Sequence, residues 1–232
     1  MRKGIKELLV DELHDILSSE EQIVKALPEL VTAAESSHLK NAFQSHLKET
    51  KGHIQRLKKI FKLARIKVQE KTCKAMKGLI LECKEVLKEF KKSPVRDAAL
   101  ISKAQRIEHY EISAYGTIRT FAKELRLSTI ADLLQETLNE EGNADKKLTK
   151  IAEGGLLTAG INHKANLLDG KQMGLKKLVS HPKKASPSRK KVSPSHKKAK
   201  ATLKKARVTP IKRTPMKKTK PAPRKAKWLA AR

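Results

Sequence analysis

The stretch Ile101-Ser102-Lys103-Ala104-Gln105-Arg106-Ile107-Glu108-His109-Tyr110-Glu111-Ile112-Ser113-Ala114-Tyr115 sets two acids into an apolar line. Ile101, Ala104, Glu108, Glu111 and Tyr115 step by three or four, and the line continues through Ile118, Ala122 and Leu125. That is the period of an amphipathic helix. Ser93-Pro94 opens it, with proline at the first helical position, where its missing N–H is not needed. Carboxylates belong on the solvent face of such a helix, yet here they share the face that should be buried.

Working outward, three further long helices share this pattern. The first spans 4–34, with Leu9, Leu13, Ile16, Glu20, Ile23 and Leu27 on one face and Pro28 predicting a kink rather than an end. Ser36-Ser37 offers an N-cap for a second helix over about 37–65, lined by Leu39, Phe43, His46, Thr50, His53, Leu57 and Ile60. A connector over 66–93 carries a short amphipathic helix with Met76, Leu79, Ile80, Cys83, Val86 and Leu87. After the helix that opens at Ser93-Pro94, a fourth covers 128–153 and carries Ile130, Leu134, Thr137, Glu141, Leu148 and Ile151, ending at Gly154-Gly155. No strand pattern competes. Four long helices with a long connection between the second and third predict an all-α, ferritin-like four-helix bundle with one crossover containing a short helix.

Each buried line is apolar except near its middle. There the first helix has Glu20, the second Glu49 and His53 with His46 a turn earlier, the third Glu108 and Glu111, and the fourth Glu141 with Asp145 four residues on. One acid at the edge of a line is ordinarily a solvated side chain, but independent edge placement does not centre four times. Buried carboxylates cost several kcal/mol each without compensation, and clustered ones raise one another's pKa. Lys25 and Arg106 are near but off-face. A pair of divalent cations would neutralise the group, and carboxylates from four helices with Glu/His pairs are how di-iron and di-manganese bundles are built. The expected metal ligands are Glu20, Glu49, His53, Glu108, Glu111, Glu141 and Asp145, with His46 and Tyr115 hydrogen-bonding to them. Two ions roughly 3.5–4 Å apart would be bridged by Glu49 and Glu141, and hard oxygen donors suit Fe, with Mn as the other option. His109, Glu136 and Glu140 fall off the lines and read as surface groups.

The same residues resemble the YciE/YciF ferritin-like family, also called the YciE/YciF ferroxidase family. The matching stretches are Glu20-Glu21-Gln22, Lys25-Ala26-Leu27-Pro28, His46-Leu47-Lys48-Glu49-Thr50, Arg56-Leu57, Lys71-Thr72-Cys73-Lys74-Ala75-Met76, Val95-Arg96-Asp97-Ala98-Ala99-Leu100, Glu108-His109-Tyr110-Glu111-Ile112 and Leu134-Gln135-Glu136-Thr137-Leu138. The resemblance covers about 3–153. It implies a di-iron, ferroxidase-type bundle, usually dimeric and associated with stress responses, with ligands carried over onto Glu20, Glu49, Glu108, Glu111 and Glu141. Two positions depart from the usual ferritin pattern: Glu-x-x-His becomes Glu49 and His53, spaced by four, and Asp145 stands where a histidine is expected.

The charge of the chain divides sharply. The 232 residues carry +29, but residues 1–160 hold 29 Lys/Arg and 23 Asp/Glu, a net +6, while residues 161–232 hold 24 Lys/Arg and one acid, a net +23. Seven of the nine prolines follow residue 180, and a segment so poor in apolar residues cannot offset its ordering entropy. The expected organisation is a di-metal bundle over 1–155, a linker over 156–180 and a disordered Lys/Pro-rich tail over 181–232. Within the tail, Ser186-Pro187, Ser193-Pro194, Thr209-Pro210 and Thr214-Pro215 are each followed by basic residues, an imperfect repeat resembling linker-histone tails. Proline keeps such a chain extended while Lys and Arg track phosphates. Arg189, Lys190, Lys191, Lys197, Lys198, Lys212, Arg213, Lys217 and Lys218 are the expected DNA contacts, without sequence preference. A solubility tail and an anionic-lipid or polyphosphate binder are the competing readings.

Aromatic residues make up only 3%, which disfavours nucleic-acid binding by a stacking platform. Cys73 and Cys83 are ten apart and match no CxxC spacing. A reduced, cytoplasmic and nucleoid-associated setting follows, with no signal-peptide core and no apolar run near the ~20 residues of a membrane span. Three functions fit: a di-iron ferroxidase or peroxide-consuming enzyme tethered to DNA, a non-enzymatic nucleoid protein whose bundle only dimerises, and a metal-sequestering stress protein.

Overall fold

A computed structural model gives the structure of the chain and describes residues 4–155 and 158–172. Four long helices form the bundle: α1 (Ile5–Ala33), α2 (Ser37–Ala64), α4 (Pro94–Glu124) and α5 (Ser128–Glu153). The crossover between α2 and α4 carries α3 (Lys74–Glu89), which packs on α1 and α4. α1 pairs with α2 and α4 with α5, and the two pairs meet through α1–α4 and α2–α5. Among the described residues, no helix is long and apolar enough to cross a membrane.

The helix ends follow local chemistry. α1 is continuous through Pro28. Ser93 caps α4 by accepting from Arg96 N at 3.3 Å, and Pro94 occupies the first turn. Ser36 stands at the N-cap of α2, but its hydroxyl makes no capping bond. The α1–α2 turn is instead held from outside: buried Asp97, in the first turn of α4, accepts from Glu35 N at 2.9 Å and from Ser36 N at 2.7 Å. Replacing Asp97 by Ala leaves both donors without an acceptor and is expected to cost about 3 kcal/mol. For a domain of this size that is a fall of roughly 6–12 °C in Tm, to be read by calorimetry. An unchanged Tm would show that the turn holds itself.

α3 is fastened at its start. Cys73 N donates to Ser18 Oγ at 3.0 Å, Gln22 Nε2 donates to the Cys73 carbonyl at 3.1 Å, and the Cys73 thiol lies 3.0 Å from the Tyr110 hydroxyl, which donates to Asp15 at 2.8 Å. Both cysteines are free and buried. Burial holds both thiols above their ordinary pKa, Cys83 at about 11.

The stretch 156–180, read above as a linker, contains further structure among its described residues. Gly154, at φ 83, turns the chain into a minimal hairpin, β1 (Gly154–Gly155) against β2 (Thr158–Ala159). α6 (Ile161–Gln172) follows and packs on α4 and α5, with Ile161 buried in the core. A side chain on Gly154 or Gly160 would meet backbone atoms at 2.3 and 2.2 Å respectively, so only glycine permits so close a return. The tail over 181–232, with all nine of its expected DNA contacts, lies outside the described residues.

The core consists of two apolar halves. One holds Ile23, Leu27, Leu30, Leu39, Phe43, Leu100, Ile107 and Leu148; the other holds Leu9, Leu13, Ile16, Leu57, Ile60, Phe61, Ile118 and Leu134. Each long helix passes from one half to the other, and the polar residues lie where it crosses between them.

Candidate metal centre

At that crossing, α1 supplies Glu20, α2 His46 and His53, α4 Glu108 and Glu111, and α5 Glu141, all buried. Their donor atoms form two overlapping groups within 4.8 Å: His46, Glu108, Glu111 and Glu141 in one, and Glu20, His53 and Glu141 in the other. Glu141 belongs to both. His46 Nε2 is 3.5 Å from Glu108 Oε1, and His53 Nδ1 is 3.0 Å from Glu141 Oε1 and 3.4 Å from Glu20 Oε1. The fully buried Tyr115 hydroxyl donates to Glu20 Oε1.

Whether these residues suit metal ions is decided by the atoms left without hydrogen-bond partners. Glu20 Oε2, both nitrogens of His46, His53 Nδ1, Glu108 Oε2 and both oxygens of Glu111 and Glu141 are buried and unpartnered. Buried polar atoms are otherwise almost always satisfied, and nine of the twelve exceptions among the described residues converge on one place. Carboxylate oxygens with imidazole nitrogens are a donor set for iron or manganese, so the residues fit a pair of such ions.

The electrostatics carry the strain of this arrangement. Burial pushes the carboxyl of Glu111 well above the usual range, and the carboxylates of Glu141 and Glu20 push it further. Burial likewise raises Glu108 and Glu20, partly offset by His46 and His53 respectively. Glu141 goes the other way: burial raises it, but His53 and His46 beside it outweigh that and hold it below. Burial lowers the histidines, yet the surrounding carboxylates more than reverse this, taking His46 to about 9 and His53 to about 10. The compensating charges not visible among Lys and Arg are thus two imidazoliums.

Several expected residues are placed differently from the sequence reading. His46, expected only to hydrogen-bond a ligand, faces into the cluster. Glu49 stands outside it, its side chain 41% exposed, accepting from Ser45 Oγ at 2.9 Å and lying 3.9 Å from His46 Nδ1. The cause is helical phase: 46, 50 and 53 share one face of α2, and 49 falls beside it. Asp145 also lies apart, accepting from Gln105 at 3.0 Å and lying 3.3 Å from exposed His109. Glu140, read as a surface group, is only half-exposed: it meets His53 Nε2 at 2.9 Å and accepts from Arg56 at 2.8 and 3.1 Å. Arg56 also reaches Glu136, which is exposed, and donates to Thr137. Sequence reasoning gave Arg56 no role, although it follows His53 by three residues and so lies on the same face.

Fold and centre together define a ferritin-like four-helix bundle lined at its middle by carboxylates and histidines. The chain belongs to the family described as Domain of unknown function (DUF892), which matches residues 4–165. It is 43% identical over 151 residues to protein YciF of Escherichia coli (strain K12), covering 65% of this chain and 91% of that protein. The crystal structure of that protein, described as a stress protein, superposes with TM-score 0.62 at 42% identity, covering 64% of this chain and 94% of the other. YcfI from Rhodopseudomonas palustris, described as a putative structural protein, gives TM-score 0.63 at 40% identity, with 65% and 96% covered. A ferritin-like, diiron-carboxylate protein from Bacillus anthracis gives 0.50 at 17% identity, with 65% and 98% covered, a likeness of fold alone.

Proposed function

We propose that this chain is a di-iron protein of the stress response that oxidises Fe(II) with O2 or hydrogen peroxide, and that its basic C-terminal segment holds it to DNA. The observation that carries the reading is the convergence of unpartnered buried donors from Glu20, His46, His53, Glu108, Glu111 and Glu141, which are the ligand set proposed here. Held by these residues, two ferrous ions would supply two electrons, enough with two protons to reduce one peroxide to two waters. The chain's own residues serve that chemistry in distinct ways. The two apolar halves of the core keep bulk water from both ends of the cluster. Tyr115 fixes Glu20, while Arg56 holds Glu140 against His53 Nε2 and so sets which nitrogen of His53 faces inward.

The description of the E. coli relative as a stress protein supports the physiological part of the reading. A homodimer, implied by the family resemblance, is part of the proposal. The alternative is a non-enzymatic nucleoid protein using the bundle as a dimerisation scaffold, which the description of the R. palustris relative as structural favours. Metal analysis of the purified chain followed by anaerobic Fe(II) loading and addition of O2 or H2O2 separates the two. Ferric absorbance is expected to rise with wild type and to be lost with Glu108→Ala; equal traces would remove this cluster as the site of oxidation.

A further inference from the structure

His46 has two ring nitrogens without hydrogen-bond partners, and they face different neighbours. Nε2 looks inward to Glu108 at 3.5 Å, and Nδ1 looks toward Glu49 at 3.9 Å. Although the His46 side chain is only 8% exposed, it forms part of the wall of an open pocket of about 200 Å³ between α2 and α5. Glu108 lies at the buried depth of that pocket, while Glu49, Asn143 and Lys147 line it nearer to solvent. Glu140 also borders it, but Arg56 and His53 already engage its carboxylate. Of the two carboxylates nearer to solvent, Glu49 is therefore the one free of an Arg or Lys hydrogen bond.

One imidazole thus stands between an exposed carboxylate and a buried one, with a free nitrogen toward each. A cation arriving from solvent meets Glu49 first, then His46, then Glu108. Lys147 stands at the same mouth with a charge that opposes its approach. We propose that His46 Nδ1 and Glu49 form an outer site for a divalent cation, through which ions reach the inner cluster by way of His46 and Glu108. The proposal rests on the reading of the inner cluster as a metal centre, and it gives Glu49 a role that matches its place outside that cluster.

The test uses Co(II) with the full-length, metal-free chain. Growth of the visible absorbance after rapid mixing gives the uptake rate, and equilibrium dialysis gives the number of ions bound. Glu49→Gln is expected to slow uptake by about tenfold while leaving the number bound at saturation unchanged. Lys147→Glu, at an exposed position, is expected to speed uptake, the direction that an electrostatically steered approach requires. A lower number of bound ions in Glu49→Gln would make Glu49 an inner ligand and overturn the outer site. Wild-type rates in both variants would overturn it as well. Absence of Co(II) binding by the wild-type chain would instead overturn the metal centre itself and the route with it.

Discussion

Glu111→Met is expected to melt above the wild-type chain in chelator and below it in saturating divalent metal. Glu111 is fully buried, and neither carboxylate oxygen has a partner. In the metal-free chain it is therefore a polar group taken out of water without return. Replacing such groups by apolar side chains of similar volume stabilises by roughly 1–4 kcal/mol in comparable cases. At about 2–4 °C per kcal/mol for a domain of this size, the gain lies well within calorimetric resolution. Metal reverses the order. Ions that bind only the folded chain stabilise it by about 2.7 kcal/mol each at a hundred times their Kd, roughly 5 kcal/mol for the proposed pair and more than the gain above, and the variant forfeits most of this because its affinity falls by roughly 100-fold. A pH dependence accompanies the effect. The raised carboxyls of Glu108 and Glu111 and the charged His46 and His53 must all lose protons to act as ligands. Loading therefore releases protons and weakens as pH falls. Two melting curves that keep the same order with and without metal would sink the argument: wild type higher in both would mean that Glu111 is satisfied by the protein itself, and the variant higher in both that Glu111 holds no metal.

The buried cluster of acids and histidines was legible in sequence in part, because its acids interrupt apolar lines. Glu20, Glu108, Glu111 and Glu141 stood out because they broke otherwise apolar lines, and a line fixes a face to within one helical position. The bundle was legible for the same reason: 3.6-residue periodicity, with Ser93-Pro94 and Gly154-Gly155 as stops, sets helix bounds that the structure reproduces within a residue or two. What stayed hidden needed knowledge of three dimensions. His46 and Glu49 are three apart on one helix, and the buried line through His46, Thr50 and His53 distinguishes them, whereas the family pattern of glutamates does not. The bond from Arg56 to Glu140 spans 84 positions, and nothing local announces it. α6 was hidden because its pattern has no strong apolar face; Ile161 reaches the core only because Gly154 and Gly160 allow the chain to fold back so closely.

Binding of the full-length chain to duplex DNA is expected to fall by roughly 10³–10⁵-fold between about 50 and 200 mM salt. The charge division is the reason. Residues 161–232 carry 24 Lys/Arg against a single acid, whereas residues 1–160 are close to balance at +6. A segment of this kind gains affinity by releasing counterions from phosphates, and the drop quoted corresponds to about six to ten phosphates neutralised. The four Ser/Thr-Pro repeats supply Arg189, Lys190, Lys191, Lys197, Lys198, Lys212, Arg213, Lys217 and Lys218 as the proposed contacts. Contacts of this kind go to phosphates, which carry no sequence information, so AT-rich and GC-rich duplexes should bind alike to within a small factor. Removing residues 176–232 should abolish retardation of DNA at low salt while leaving Fe(II) oxidation intact, because the whole proposed ligand set lies between Glu20 and Glu141. Retardation that survives the deletion, or affinity indifferent to salt, would mean that the positive charge of this segment serves something other than a phosphate backbone. Loss of both properties together would mean that the two halves of the chain are not the separable tether and centre that their charges suggest.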